Sequence, residues 1–156
     1  MHTVNEIFIE GDADIICPRI FQLAADIQDW PTLLPHYRYL HVLERSETHK
    51  VADFGASRDG FPVKWKAKQE VFPETNRITF LHTGGVTKGM WVEWRLEKRE
   101  NGVSVEIDHE LNYPIPVIGG FFAKHVVGRL FVENIATKTL RCIKAKVESE
   151  FPKCVI

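Results

Sequence analysis

Three side chains in this sequence have the chemistry to move a proton or to polarise a carbonyl group. His109 is the polar member of an apolar, alternating run, so it is predicted to point inward, where an imidazole can exchange protons near neutral pH. Arg129 lies four residues after His125 and four before Glu133, so the three share one side of a predicted helix. Tyr37 could orient a substrate oxygen. The structural alternatives are a buried histidine satisfied by a neighbour, an Arg129–Glu133 ion pair and ordinary aromatic packing.

The spacing of other reactive residues does not support a metal or phosphate site. The histidines and cysteines include no HExxH or CxxC pattern, so no metal site is predicted. The pairs Gly84-Gly85 and Gly119-Gly120 lack the context of a phosphate loop, and no Gly-x-Ser-x-Gly elbow occurs. We therefore expect no cofactor. The odd number of dispersed cysteines (Cys17, Cys142 and Cys154) favours a reducing cytoplasm.

Length and composition predict one globular domain over residues 1–156. The mass is 18.0 kDa, with 44% hydrophobic and 26% charged residues, which is typical of globular proteins. Twenty basic and 21 acidic residues give a net charge of -1, so a basic field that would bind nucleic acid is not expected. No secretory signal is visible. The longest uncharged run, Leu111 to Ala123, contains prolines and glycines and is too short for a transmembrane segment.

The predicted order of elements is one strand, two short helices, six further strands and one long helix. The first strand is predicted over Val4–Ile15, followed by two short helices between Cys17 and His36, with Pro18 in a first helical turn. Short turns such as Asn101-Gly102 join the later strands into an antiparallel meander. The long helix is predicted over about Phe121–Ser149.

These elements predict an α+β fold in which a curved, seven-stranded antiparallel sheet wraps around the C-terminal helix. This arrangement leaves a cavity between sheet and helix, lined by alternate strand residues that are mostly apolar and aromatic. We expect a small hydrophobic ligand there, although the same side chains could simply fill a core. The predicted ligand-binding residues are Trp30, Leu34, Tyr37, Phe54, Trp65, Gln69, Phe80, Met90, Trp94, Ile107, His109, Phe122, His125, Val126 and Arg129.

Several segments resemble the polyketide cyclase/dehydrase family of the START-like (SRPBCC) superfamily. They include Asp29-Trp30-Pro31 after a helix opened by Cys17-Pro18, then Gly89-Met90-Trp91, and the run from Pro114 to Phe122 that leads into a helix containing Glu133-Asn134-Ile135. The order of elements matches over nearly the whole chain. The resemblance implies a helix-grip fold with a hydrophobic ligand cavity. Members include aromatase/cyclases, coenzyme Q-binding chaperones and ribosome-associating proteins.

The fourth strand departs from the aromatase/cyclase pattern. That pattern resembles Trp-x-Trp-x-Ser-x-Arg, and the corresponding residues here are Val63, Trp65, Ala67 and Gln69, of which only Trp65 matches. A cation that would stabilise an enolate is therefore missing at this position, although Gln69 could still hydrogen-bond a carbonyl. In the sixth strand, the family comparison places Trp91 inward.

The apolar alternation of that sixth strand instead places Trp94 inward, and the sequence leaves the choice open.

Three functions are compatible with these observations. The leading hypothesis is binding of a polyketide-like, aromatic or isoprenoid ligand. The second is an aromatase/cyclase that uses His109, Arg129 and Tyr37 as catalytic residues and has an acyl carrier protein as its partner. The third is association with a ribosome or protein through an outer stripe of lysines, Lys64, Lys66 and Lys68.

Overall fold

Seven strands and three α-helices make up the part of the chain that a computed structural model describes, residues 2–58, 60–85, 87–111 and 134–152. Two 3-10 turns connect elements: Ile27–Asp29 joins α1 to α2, and Pro73–Thr75 joins β4 to β5. A π-helical turn over 134–136 precedes α3. The elements are β1 (His2–Glu10), α1 (Ala13–Ala25), α2 (Trp30–Leu33), β2 (Tyr37–Arg45), β3 (His49–Arg58), β4 (Phe61–Phe72), β5 (Arg77–Gly85), β6 (Trp91–Arg99), β7 (Gly102–Glu110) and α3 (Thr137–Glu150).

The strands form one antiparallel sheet in the order β1-β7-β6-β5-β4-β3-β2. Side chains alternate between its faces with a period of two. Along β4, for example, Trp65 and Ala67 are buried, whereas Lys64 and Lys66 are exposed. The predicted α+β architecture with a seven-stranded antiparallel sheet and two short helices after the first strand is confirmed.

Helices α1 and α3 pack against the β1–β7–β6 side of the sheet, whereas α2 contacts β2. The buried face of α1, which includes Ile20, contacts β6 and β7, and α3 contacts β1 and α1 through a face that includes Ile143. The Arg19 guanidinium donates two hydrogen bonds, of 2.7 and 2.8 Å, to the Glu150 carboxylate. These contacts fix α1 and α3 relative to each other.

The boundary between the first strand and the first helix differs from the sequence prediction. The predicted strand Val4–Ile15 is too long, because β1 ends at Glu10 and Asp12 caps α1 by accepting a hydrogen bond of 3.1 Å from the Asp14 N–H. Pro18 lies in the second turn of α1, where it has no N–H to donate to the carbonyl of Asp14. The C-terminal helix is confirmed over α3; its predicted first half, 121–133, lies outside the described residues.

Candidate ligand-binding site

Trp30 lies at the centre of a cluster of aromatic rings. It is the first residue of α2, and its ring centroid lies 5.2 Å from that of Tyr37, 6.1 Å from Phe54, 5.8 Å from Phe80 and 6.1 Å from Trp94. These four partners come from β2, β3, β5 and β6, so one ring from the helical segment contacts four strands. Such tilted and edge-to-face arrangements are favourable for aromatic pairs.

A cavity lies beside this cluster, between the inner face of the sheet and the start of the C-terminal helix. Its open volume is about 40 Å³, which would hold roughly two or three water molecules. The charged residue types Asp, Glu, Lys and Arg are absent from the described part of its lining. The lining residues described are Trp30, Tyr37, Phe54, Trp65, Phe80, His82, Val92, Trp94, Ile107, His109, Ile135, Ala136 and Thr139.

Two neutral histidines form one polar region of the cavity. Burial lowers the pKa of His82 to about 3, with a further contribution from the nearby His109, and His82 Nδ1 lies 2.7 Å from Thr87 Oγ1. The ring of His82 stacks on Trp65 at 5.9 Å. Burial lowers the pKa of His109 to about 4, although Asp108 acts in the opposite direction. Both imidazoles are therefore uncharged near neutral pH.

His109 has an unsatisfied hydrogen-bonding atom. Its side chain is buried, and its Nδ1 has no hydrogen-bond partner in the described structure. A buried, unpaired polar atom is costly, and such atoms in native proteins call for an explanation such as water or a ligand. His109 lines the cavity, so a hydroxyl or carbonyl group of a ligand could supply the missing hydrogen bond.

A second polar region joins β2 to α3. Thr139 Oγ1 donates to the Ile135 carbonyl at 2.7 Å and lies 2.9 Å from His36 Nε2, so it accepts a hydrogen bond from the His36 ring. The Tyr37 hydroxyl also hydrogen-bonds Thr139. Burial raises the pKa of Tyr37, and burial together with the nearby Lys138 lowers the pKa of His36 to about 4. Tyr37 is thus protonated, and because the Thr139 proton goes to Ile135, the Tyr37 hydroxyl is the donor to Thr139 and retains acceptor capacity for a ligand.

The structure brings many of the predicted site residues together and places others elsewhere. Those that line the cavity are Trp30, Tyr37, Phe54, Trp65, Phe80, Trp94, Ile107 and His109. Leu34 and Met90 are buried outside the lining, and the Gln69 side-chain amide donates to the Ala25 carbonyl at 3.0 Å. The predicted residues Phe122, His125, Val126 and Arg129 lie outside the described residues.

Sequence reasoning left five lining residues out of the predicted site, although some signals were present. His82 shares a face with Phe80, and Val92 belongs to the same alternation as Trp94, so the strand pattern points to both. The others, Ile135, Ala136 and Thr139, lie at the π-helical turn and the start of α3; Ile135 and Ala136 belong to the apolar face predicted for the C-terminal helix, but the spacing does not show which of its residues border the cavity. In β6, the structure places Trp94 inward and leaves Trp91 on the outer face with 38% exposure.

The described residues offer no evidence for a metal ion. Among the residues in the described ranges, no group of three or more histidine, cysteine, aspartate or glutamate side chains could hold one. In the same ranges, no helix is long and apolar enough to cross a membrane. The candidate site is therefore assigned on the basis of its aromatic lining and its neutral polar atoms.

A family model described as polyketide cyclase / dehydrase and lipid transport matches residues 18–135, which include most of the cavity lining. The chain belongs to this family. This chain is 26% identical over 94 residues to a relative from Streptomyces coelicolor, the actinorhodin polyketide synthase bifunctional cyclase/dehydratase. That match covers 59% of this chain, and the chain spans only 30% of the length of that curated relative.

Solved structures show the same fold at low sequence identity. The protein TTHA0849 from Thermus thermophilus is 22% identical, with a TM-score of 0.79 and coverage of 97% of this chain and 99% of that chain. The Zhui aromatase/cyclase from a Streptomyces species is 13% identical, with a TM-score of 0.72, and the match covers 95% of this chain and 93% of that chain. A START superfamily protein from Mycobacterium smegmatis is 12% identical, with a TM-score of 0.68 and coverage of 95% and 97%. Family and fold together fit a hydrophobic ligand-binding or polyketide cyclase role.

Proposed function

We propose that this chain, as a single domain, binds a small hydrophobic ligand of aromatic, polyketide-like or isoprenoid type between the sheet and the C-terminal helix. The observation that carries the proposal is the lining of the cavity, which combines aromatic rings with the unpaired Nδ1 of His109. Ligand sites are typically apolar with a few polar groups that fix orientation. An ionised ligand would be buried here without an opposite charge from the described lining, at a large cost in free energy.

Ligand extraction tests the proposal directly. The protein is purified under native conditions and extracted with organic solvent, and any bound molecule is identified by mass spectrometry. We expect a stoichiometric hydrophobic compound, or a rise in melting temperature with members of a panel of quinones, isoprenoids and aromatic polyketides. An empty extract combined with no thermal shift across the panel would contradict the proposal.

Two tryptophans of β6 provide matched variants for this test. Trp94 contributes to the cavity and Trp91 lies on the outer face of the same strand. Trp94→Leu is expected to weaken ligand binding at least tenfold, because an aromatic surface in contact with the ligand is lost. Trp91→Leu removes the same side chain from the outside and should leave affinity unchanged.

His109 also favours a second candidate function, aromatase/cyclase activity. A neutral imidazole with a free nitrogen could remove a proton from a methylene group between two carbonyls of a polyketide chain. The resulting carbanion would attack a carbonyl carbon, the alkoxide would take up the proton, and loss of water would complete the aldol cyclisation. Tyr37 could accept a hydrogen bond from a substrate hydroxyl, whereas Gln69 is engaged with Ala25, and Arg129 remains a prediction outside the described residues.

The cyclase proposal is tested with a polyketide chain carried on an acyl carrier protein. Cyclised, dehydrated product should form with the unmodified protein, and His109→Leu should reduce its rate at least 100-fold. Binding without turnover would leave ligand binding as the function. No observation favours the third function: Lys68 lies 3.6 Å from Glu70 and Lys66 lies opposite Asp53, so two of the three outer lysines have an acid nearby.

A further inference from the structure

The Trp30 side chain occupies the space that a ligand ring would need. It is enclosed by aromatic rings from four strands, and with Trp30 in this position the cavity has an open volume of only about 40 Å³. Sites for small molecules generally measure roughly 300–1,000 Å³. A ligand larger than a few atoms therefore requires a rearrangement, and Trp30 is the central ring that contacts all four strands.

Trp30 is carried by a short element with few constraints. The helix α2 has only four residues, and its cap residue, Asp29, makes no side-chain capping hydrogen bond in the described structure. The indole Nε1 donates one hydrogen bond, of 3.1 Å, to the Leu23 carbonyl. The other rings of the cluster belong to strands that are hydrogen-bonded into the sheet, so displacing Trp30 disrupts less regular structure than displacing any of them.

A surface groove lies next to α2. It has a volume of about 450 Å³, and its lining includes Leu23, whose carbonyl accepts the Trp30 hydrogen bond, and Asp29, which precedes Trp30. The other lining residues are Arg19, Gln22, Asp26, Thr32, Leu33 and Lys146, so the groove also carries charged side chains of both signs. Trp30 lines the cavity and not the groove, whereas Thr32 and Leu33 of the same helix line the groove, so α2 contributes to both spaces. Outward movement of α2 and Trp30 would connect the two spaces.

We propose that Trp30 closes the cavity and selects its ligand: an uncharged, flat aromatic molecule enters from the groove and takes the place of the indole ring. The surrounding rings already contact a flat bicyclic group at 5.2–6.1 Å, so they suit another ring better than a flexible chain. A hydroxyl or carbonyl group on the ligand would pair with His109 Nδ1. This inference rests on the proposed binding function and adds the ligand class and the entrance.

Fluorine NMR of protein labelled with 5-fluorotryptophan tests displacement in the unmodified sequence. The chain has four tryptophans, whose resonances are assigned by single Trp→Phe variants. The probe is 2-naphthol, which has a bicyclic ring like indole and one hydroxyl group. We expect 2-naphthol to shift the Trp30 resonance and make it sensitive to a soluble paramagnetic agent, while the outer Trp91 resonance stays unchanged.

Affinity measurements test the closing role of Trp30. Trp30→Leu should bind 2-naphthol at least tenfold more tightly than the unmodified protein, because the ligand no longer has to displace an indole. Trp91→Leu is the matched control and should not change affinity. Naphthalene-2-sulfonate, the charged counterpart, should bind at least tenfold more weakly than 2-naphthol to both proteins. If Trp30→Leu does not fold, the NMR experiment on the unmodified sequence decides.

The possible outcomes separate this inference from the proposed function. If 2-naphthol binds while the Trp30 resonance remains unchanged and protected, Trp30 does not close the cavity, although ligand binding stands. If the unmodified protein binds dodecan-1-ol but not 2-naphthol, the ligand class is wrong and ligand binding again stands. If neither probe binds the unmodified protein or Trp30→Leu, both this inference and the proposed function are contradicted.

Discussion

Replacing His109 with leucine should make the folded protein less sensitive to acid. His109 is buried, and burial lowers its pKa from 6.5 to about 4. Below pH 6.5 the unfolded chain takes up a proton at this residue and the folded chain does not, so the free energy of unfolding falls as the pH falls towards 4. Leucine cannot take up a proton in either state, and this contribution to the pH dependence therefore disappears.

The size of the effect follows from the pKa difference. A proton bound only in the unfolded state changes the free energy of unfolding by about 1.4 kcal/mol per pH unit. Between pH 7 and pH 5, with a pKa of about 4 in the folded protein, His109 accounts for a loss of ~2 kcal/mol. That is a substantial part of the roughly 5–15 kcal/mol by which domains are usually stable.

Urea denaturation followed by tryptophan fluorescence, on ligand-free protein between pH 5 and pH 7, measures this effect. The unmodified protein should lose ~2 kcal/mol more than His109→Leu over this range, even if the variant differs in stability at pH 7. His41→Gln, which replaces an exposed histidine of β2, is the control and should retain the full pH dependence. The reasoning is refuted if His109→Leu and the unmodified protein show the same dependence on pH.

Two further substitutions test the packing of the sheet. Gly102→Ala should lower the free energy of unfolding by about 2–4 kcal/mol, because the new Cβ would lie 2.2 Å from the carbonyl oxygen of Ile9. Gly84→Ala is the control, because its new Cβ would make only an ordinary contact of 3.5 Å with the Cβ of Lys66. Equal losses of the two variants in urea denaturation would contradict this account. Arg95→Met should lower the free energy of unfolding by about 1 kcal/mol, because the Arg95 guanidinium contacts three carboxylates of β6 and β7. This loss should be smaller in about 1 M NaCl, because salt screens the attraction between the charges. Arg99→Met, at an exposed pair, should have almost no effect, and a loss at Arg95 that does not depend on salt would count against an electrostatic origin.

The inner face of the sheet could be predicted because a strand has a fixed period of two. With one face buried, the alternation in β4 and β6 determines that Trp65 and Trp94 point inward and that Trp91 points outward. The same rule correctly places His109 among apolar neighbours on β7. Short turns between successive strands then determine the antiparallel neighbours, so most of the sheet topology follows from local signals.

Features that depend on contacts between distant segments could not be predicted in this way. The position of Gln69 on the inner face is evident from the alternation, but its hydrogen bond to the Ala25 carbonyl depends on where α1 ends above the sheet. The sequence predicted Trp30 as a ligand-binding residue, but not its position at the centre of the aromatic cluster, because a four-residue helix is oriented by packing. The strand prediction for residues 11–15 failed because isolated β-branched residues suit either element and Asp12 caps a helix.

Buried polar atoms without a hydrogen-bond partner help to distinguish a ligand site from a filled core. Thr3 Oγ1, Asn5 Nδ2, His109 Nδ1 and Asn134 Oδ1 are all buried and have no hydrogen-bond partner in the described part of the chain. Thr3 lies directly opposite His109 in the β1–β7 pair, and Asn5 lies opposite Ile107, another lining residue. Each such atom costs about 1–3 kcal/mol if nothing bonds to it, and apolar side chains at these positions would avoid that cost. Of these four residues only His109 belongs to the described lining, and a ligand hydroxyl or carbonyl group would satisfy its Nδ1 if the proposed binding function is correct.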